Sequence, residues 1–234
     1  MKNQTDGWNE YYRRGRLAGM PELFVVRFFR GLRNRGGFLS EHLMDTWPAP
    51  DNASVLDFGC GNGRHLAFLA QEGWNVTGCD ISADAVTLAR KSVGDAPGTP
   101  RVDIVSGGLP YESAAFDIVL AHGVFDHIPA VERMAWREEV ARVLRPRGIL
   151  QASFITSSLH GRGIEAGEQI LEEGEEAGLA QTFYTSESIV KEYGDLFDVR
   201  SIAYDDRGLV HPHRSTIEHR LWAFLERKGP SQPD

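Results

Sequence analysis

The chain has 234 residues, two cysteines and a formal net charge of −8 at pH 7, with 41% hydrophobic and 25% charged residues. That length is enough for one sizeable α/β core and calls for no second domain, and the acidic balance argues against general nucleic-acid affinity. No apolar run reaches the roughly 18 residues of a membrane span and no leader pattern opens the chain, so a cytoplasmic protein with no membrane partner is expected.

The N-terminal stretch Trp8-Asn9-Glu10-Tyr11-Tyr12 precedes a glycine-containing break. Pro21 then opens a helix to about Leu32, with Val25, Phe28, Phe29 and Leu32 on one face. Arg13, Arg14, Arg16, Arg27, Arg30, Arg33 and Arg35 crowd this region. They read as the solvated side of amphipathic helices, or as a patch for an anionic acceptor such as a phosphorylated or nucleotide-linked small molecule. A further helix over about Phe38–Thr46 is expected to stop before Pro48-Ala49-Pro50-Asp51-Asn52, the lead-in to the first core strand.

Ser54-Val55-Leu56-Asp57-Phe58 is an apolar run closing on an acid. Gly59, Gly61 and Gly63 follow at alternate positions, then the helical pattern Leu66, Leu69, Ala70, giving strand, tight turn and helix. Glycines there let a ligand approach the backbone, and the helix start points unpaired N–H groups at it. A dinucleotide fingerprint needs Gly-x-Gly-x-x-Gly, whereas here the third glycine comes one residue early and Arg64 fills the expected slot. Asp57 suits a cationic amino group, such as the methionine part of S-adenosylmethionine, better than it suits a diphosphate. A second strand, Asn75–Asp80, ends in an acid placed to grip a ribose diol, a feature NAD enzymes share. Cys60 and Cys79 lie at the tips of these neighbouring strands and read as reduced packing thiols, since a disulfide would distort the turn.

Ser82 reads as the N-cap of a helix carrying Val86, Ala89, Arg90 and Val93 and ending at Gly94. Arg101–Val105 and Phe116–Ala121 are the third and fourth strands. The fourth delivers His122-Gly123-Val124-Phe125-Asp126-His127-Ile128-Pro129 to the carboxyl end of the sheet, where ligands bind in open α/β folds. His122 and His127 suit a general base for a hydroxyl or amine acceptor; cofactor lining for His122 and a purely structural place for His127 are the alternatives. From Pro129 a helix carries Val131, Met134, Trp136, Val140, Val143 and Leu144 as core, broken by Gly148 before a fifth strand at Ile149–Phe154.

Between Thr156 and Phe183 the pattern fails. Four glycines (Gly161, Gly163, Gly167, Gly174) and six glutamates (Glu165, Glu168, Glu172, Glu173, Glu175, Glu176) suggest an insertion over the active site, its helical portion a charged solvent face or a selector for a cationic acceptor. A helix to about Tyr193 follows, capped by Ser186. Phe197–Tyr204 and Ser215–Glu226 read as a hairpin, so one of them runs antiparallel to the rest. His211, His213 and His219 lack the cysteine or carboxylate that would complete a metal site, although Arg214 or His213 can face an acceptor. Gly229–Asp234 is a polar tail.

Val55–Gly63, Gly78–Ser82, Leu109-Pro110-Tyr111 with Phe116–Val119, and Val143–Gly148 together resemble the ordered motifs of class I S-adenosylmethionine-dependent methyltransferases, over roughly Ser54–Phe154. The resemblance implies a Rossmann-like, doubly wound α/β fold: a mostly parallel seven-stranded sheet with an antiparallel C-terminal edge hairpin. It divides one domain, 1–234, into a helical cap (1–50), a cofactor-binding core (51–156), a lid-like insertion (157–183) and a C-terminal helix and hairpin (184–230). It implies S-adenosylmethionine held by Asp57, Gly59, Cys60, Gly61, Asp80, Ile81, Ser106, Gly107, Gly108, Leu109 and His122, with Tyr11 and Tyr12 folding over it, and a small-molecule acceptor. Two departures stand out. Ser106-Gly107-Gly108 replaces the acid that usually precedes Leu-Pro and accepts from the adenine amino group, and nothing resembles the Asn-Pro-Pro-Tyr of enzymes that methylate exocyclic base amines. An NAD(P)-dependent oxidoreductase and a non-catalytic cofactor-binding regulator remain the alternatives, and a homodimer is left open.

Overall fold

The computed structural model describes residues 3–14, 19–34, 47, 50–94, 98–156, 158–159, 162–163, 166–172, 176–205 and 220–229. Two N-terminal helices, α1 (Gln4–Arg13) and α2 (Leu23–Asn34), precede the alternating core: β1 (Ser54–Phe58), α3 (Arg64–Gln71), β2 (Asn75–Asp80), α4 (Ala83–Val93), β3 (Val102–Ile104) and β4 (Phe116–His122). After a 3₁₀ turn at Phe125–His127 come α5 (Ala130–Val143) and β5 (Leu144–Ile155). Four short strands follow, β6 (Ser158–Leu159), β7 (Arg162–Gly163), β8 (Gly167–Ile170) and β9 (Ala180–Phe183). The chain then forms α6 (Ser186–Tyr193), β10 (Phe197–Asp205) and β11 (Arg220–Arg227).

Seven strands make one sheet in the order β10-β11-β5-β4-β1-β2-β3. The pairs from β5 to β3 are parallel, and β11 is antiparallel to both β5 and β10, as a C-terminal hairpin requires. The chain leaves β1 towards β2 and β3 and then returns to β4 on the other side of β1. That reversal opens a crevice at the carboxyl ends of β1 and β4. No helix among the described residues is long and apolar enough to cross a membrane.

Side chains alternate across the sheet, so each strand feeds two cores. Leu56, Phe58, Val119, Ala121, Leu150, Ala152 and Phe154 meet Val140 and Val143 of α5 and Ile189 and Tyr193 of α6 on one face. Val55, Ile118, Leu120, Ile149, Trp222 and Phe224 meet α2, α3 and α4 on the other, through Val25, Phe28, Phe29, Leu66, Leu69, Val86 and Ala89. Fully burying one such large side chain contributes roughly 1.5–3 kcal/mol, so both faces are needed to offset the chain's ordering entropy. Three of the N-terminal arginines lie outside these cores: Arg13 pairs with Asp84, Arg30 with Glu72, and Arg33 covers the Trp74 ring.

Four local expectations are corrected. On α5, Val131 is 91% exposed and Met134 61% exposed, while Arg133 and Arg137 are buried. The helix is turned that way because Arg133 reaches Glu192, Thr182 and the Tyr184 ring, and Arg137 reaches Asp195 and the Tyr193 ring. The helix also ends at Val143 and not at Gly148, which is glycine because a Cβ there would stand 2.9 Å from Asp117 O. The insertion is built of strands and contains no helix among its described residues: β6 pairs with β7, and β8 with a fully buried β9. Its Glu168 carboxylate accepts from Ala130 N, serving an α5 start whose N-cap, Pro129, has no acceptor side chain. Thr185, not Ser186, caps α6, in a reciprocal box with Ser188. The expected helix at 38–46, residues 206–219 with their histidines and Arg214, and residues 230–234 lie outside the described residues.

Candidate functional site

The crevice is shaped by the turn after β1. Gly61 (φ +54°) and Gly63 (φ +81°) occupy left-handed backbone that other residues rarely adopt. A Cβ on Gly63 would sit 2.8 Å from Ala89 Cα, so its absence lets α3 close on α4. A Cβ on Gly61 would collide with the Tyr12 hydroxyl, which lies directly over the turn.

Two carboxylates flank this turn. Asp80, at the tip of β2, accepts from Gly61 N and Ser82 N, each at 2.9 Å. Burial pushes its pKa up to about 6 against those two hydrogen bonds. Asp57 is 1% exposed, and its Oδ2 has no hydrogen-bond partner among the described residues. Burial first, and then the Asp80 charge, raise it to about 7, with Arg64 acting in the opposite sense. An unmet buried acceptor of this kind is costly to leave and marks a place where a donor is missing.

In front of the turn lies a cavity of about 520 Å³. Its floor is Phe58, Gly59, Asp80 and Ile81; its sides are Val105, Ser106 and Gly107 and, opposite, Gly123, Val124, His127, Ile128, Glu132 and Trp136. Helix α1 is the roof, through Trp8 and Tyr12, one helical turn apart on the same face. Asn9 Oδ1 accepts from Ser82 Oγ at 2.8 Å, Arg13 pairs with Asp84, and Gly7 lies against Leu179 of the insertion, so the roof is tied to both sides.

His127, 7% exposed, is wedged at the edge of this roof. Its ring meets Trp8 edge-on at 4.9 Å, Nδ1 lies 3.4 Å from Ala180 O, and Nε2 lies 3.8 Å from Glu176 Oε2. Both the carbonyl and the carboxylate come from the insertion. With Nδ1 donating to the carbonyl, Nε2 carries the lone pair.

The sequence-derived residues therefore divide. Gly59, Asp80, Ile81, Ser106, Gly107, His127 and Tyr12 line the cavity, while Asp57, Cys60 and Gly61 belong to the turn behind its wall. Gly108 and Leu109 turn away: Leu109 N donates to Glu139 at 2.8 Å, and Glu139 also stands beside Gly108. Tyr11 stacks edge-on against Trp8 and Tyr12 outside the wall. His122 points to the opposite face of the sheet, towards Arg64, His65 and Trp222. Val124, Ile128, Glu132 and Trp136 were not anticipated as cavity residues, nor was Arg64 as a residue of a polar cluster; the spacing of Ile128, Glu132 and Trp136, one helical turn each, was the available signal.

Comparison with known proteins follows this geometry. Residues 55–148 match the family described as methyltransferase domain. The methyltransferase GfsG of Streptomyces halstedii is 34% identical over 53% of this chain and 45% of its own length. A ubiquinone biosynthesis O-methyltransferase of Actinobacillus pleuropneumoniae is 29% identical over 45% of this chain and 47% of its own. The chain thus spans about half the length of these curated relatives. Among solved structures, one determined for the conversion of a disulfide bond into a thioacetal group during echinomycin biosynthesis has a TM-score of 0.68 at 20% identity, covering 98% of this chain and 95% of its own. An S-adenosylmethionine-dependent methyltransferase from Methanosarcina mazei has a TM-score of 0.65 at 18% identity, covering 80% and 97%.

Proposed function

We propose that this chain, which carries a class I S-adenosylmethionine-dependent methyltransferase domain, transfers a methyl group to a small-molecule acceptor by O- or N-methylation of a sugar, a nucleotide-linked sugar or a secondary metabolite. The observation that carries the reading is the pair of buried carboxylates at the glycine turn, Asp80 on the floor of a roofed cavity and Asp57, with an unmet oxygen, in the turn behind its wall. S-adenosylmethionine, when bound, supplies a methyl group already activated by the sulfonium charge. The chain's own task is then to hold two reactants in line and keep water out, which can lower a barrier by about 7–11 kcal/mol.

In this reading Asp57 meets the amino group of the cofactor across the turn, and Asp80 takes its ribose. Ser106, Gly107 and Trp136 wall the adenine side, where the usual acid is absent. Trp8 and Tyr12 close over the methyl group, and His127 takes the acceptor's proton. The two free, buried cysteines fit a reducing, cytoplasmic setting.

A pH dependence follows from Asp57. Its pKa in the ligand-free protein is about 7, against an ordinary 3.8. Only the ionised form attracts a cationic amino group, so affinity for S-adenosylhomocysteine should rise about tenfold between pH 6 and 8. Stability runs the other way. A carboxyl whose folded pKa is raised contributes stability at low pH that is lost as pH rises through about 7, so the melting shift produced by the ligand should grow with pH. Calorimetry at pH 6, 7 and 8 reads this directly, and a flat profile would remove Asp57 as the ionic partner.

The activity itself is tested by incubating the protein with methyl-labelled S-adenosylmethionine and a fractionated metabolite extract. Label should move to a small molecule in a wild-type-dependent way, and S-adenosylhomocysteine should bind in the micromolar range. Binding without any labelled acceptor would instead favour a regulatory module.

A further inference from the structure

The stretch that joins β3 to β4, residues 105–115, forms no helix and is strapped instead to α5. The Glu139 carboxylate accepts from Leu109 N at 2.8 Å. Arg142, paired with Glu139 at 2.7 Å, donates to the carbonyl oxygens of Tyr111 at 2.7 Å and Leu109 at 2.9 Å. Ser106 and Gly107 therefore share one cavity wall with α5. Glu132, Trp136 and Glu139 stand at positions i, i+4 and i+7 of that helix, on one stripe, and the first two line the cavity.

Buried arginines fix the rotation of α5 about its axis. Arg133 holds Glu192 at 2.9 Å and Thr182 at 2.6 Å, and Arg137 holds both oxygens of Asp195 at 2.6 and 2.7 Å. That rotation leaves Val131 exposed; turning the helix to bury it would swing Glu132 and Trp136 away from the cavity. Trp136 is half-buried against Phe58, 5.6 Å between ring centroids, and keeps an aromatic face beside Ser106 and Gly107. Glu132 sits at the rim, exposed, and its carboxylate has no ion pair or hydrogen bond among the described residues. No Lys or Arg among the described residues lines the cavity to meet it. The glycine turn lies at the other end, with Asp80 on the floor and Tyr12 over Gly61. A cofactor with its amino-acid end at that turn and its ribose at Asp80 brings its base to the wall that Ser106, Gly107 and Trp136 form.

We propose that Glu132 reads the nucleobase of the cofactor: its carboxylate accepts from the exocyclic amino group of the adenine, the task left vacant by Ser106-Gly107-Gly108. This rests on the methyltransferase reading and deepens it, moving base recognition from the loop after β3 to the first turn of α5. The strap through Glu139 and Arg142 holds loop and helix together, so an acid on one serves a base seated against the other. Trp136, one turn along, offers its ring to the face of the base. An ionised carboxylate only accepts, so it favours a purine that can donate at that position over one that cannot. The charge makes the hydrogen bond about twice as strong as a neutral one, and water at the rim screens part of that gain.

The test is calorimetric titration of S-adenosylhomocysteine and of its analogue in which hydrogen replaces the 6-amino group. The wild type should bind the amino form about tenfold more tightly than the analogue. Glu132→Ala should weaken S-adenosylhomocysteine about tenfold and leave the analogue within about twofold, which abolishes the preference. Glu132→Gln keeps an acceptor without the charge and should fall between. Because Glu132 is exposed, both variants should fold, and their melting temperatures separate a purely structural role. An acid in the first turn also stabilises a helix through its dipole, and losing that alone would lower the melting temperature without touching the preference. If neither ligand binds the wild type, the methyltransferase reading falls and this assignment with it. If both bind the wild type equally, or if the preference persists in Glu132→Ala, Glu132 does not read the base and the methyltransferase reading stands without it.

Discussion

Asp80→Ala should weaken S-adenosylhomocysteine binding by at least about 100-fold, equivalent to roughly 2.7 kcal/mol. Asp80 has two tasks, and the substitution removes both. It fixes the turn by accepting from Gly61 N and Ser82 N, and it presents a carboxylate to the cavity floor. Each hydrogen bond to a charged acceptor is worth about 1.5–3 kcal/mol. The change also spreads, because Ser82 caps α4 through Ala85 N and holds Asn9 of the roof. Asp80→Asn keeps one acceptor and should fall between wild type and Ala. Because burial already raises Asp80 to about 6, neutralising it relieves a desolvated charge, so the fold should survive both changes. Calorimetry on variants shown to be folded checks this. An affinity within about fivefold of wild type would dissociate Asp80 from the cofactor.

The sheet and the turn were legible because their determinants are local. Apolar runs of five to seven residues, glycines at alternate positions and an acid at each strand tip depend on neighbours a few residues away. What was misread depends on distant partners. Val131 and Met134 suggest an apolar face for α5, but the helix is oriented by Arg133 and Arg137 reaching Glu192 and Asp195, some 60 residues later. The glutamates of the insertion look helical in isolation, whereas Glu168 lies on a strand registered against Thr182. His122 shows a different failure. Ile118 and Leu120 face the α2 side, so period two alone puts His122 there as well, away from the cavity. His127 escapes that rule because the chain has left the strand for the 3₁₀ turn.

His127→Ala should lower the rate of methyl transfer to a hydroxyl acceptor by about 10²–10⁴-fold, the range for a positioned base. It should change S-adenosylhomocysteine affinity by much less. The geometry behind this lies in the two ring nitrogens. Ala180 O engages Nδ1, which leaves the Nε2 lone pair for a proton from the acceptor. Glu176, 3.8 Å from Nε2, then faces the imidazolium that forms. Its side chain is 30% exposed, so solvent screens that attraction, and Glu176→Gln should cost no more than about tenfold. His127→Gln separates chemistry from packing. It preserves much of the contact with Trp8, 4.9 Å between ring centroids in the wild type, but offers no basic nitrogen. If the glutamine variant is as slow as the alanine one, His127 acts as the base. If it restores the rate, His127 serves as the strut that keeps Trp8 over the methyl group, and in-line alignment carries the reaction without a base.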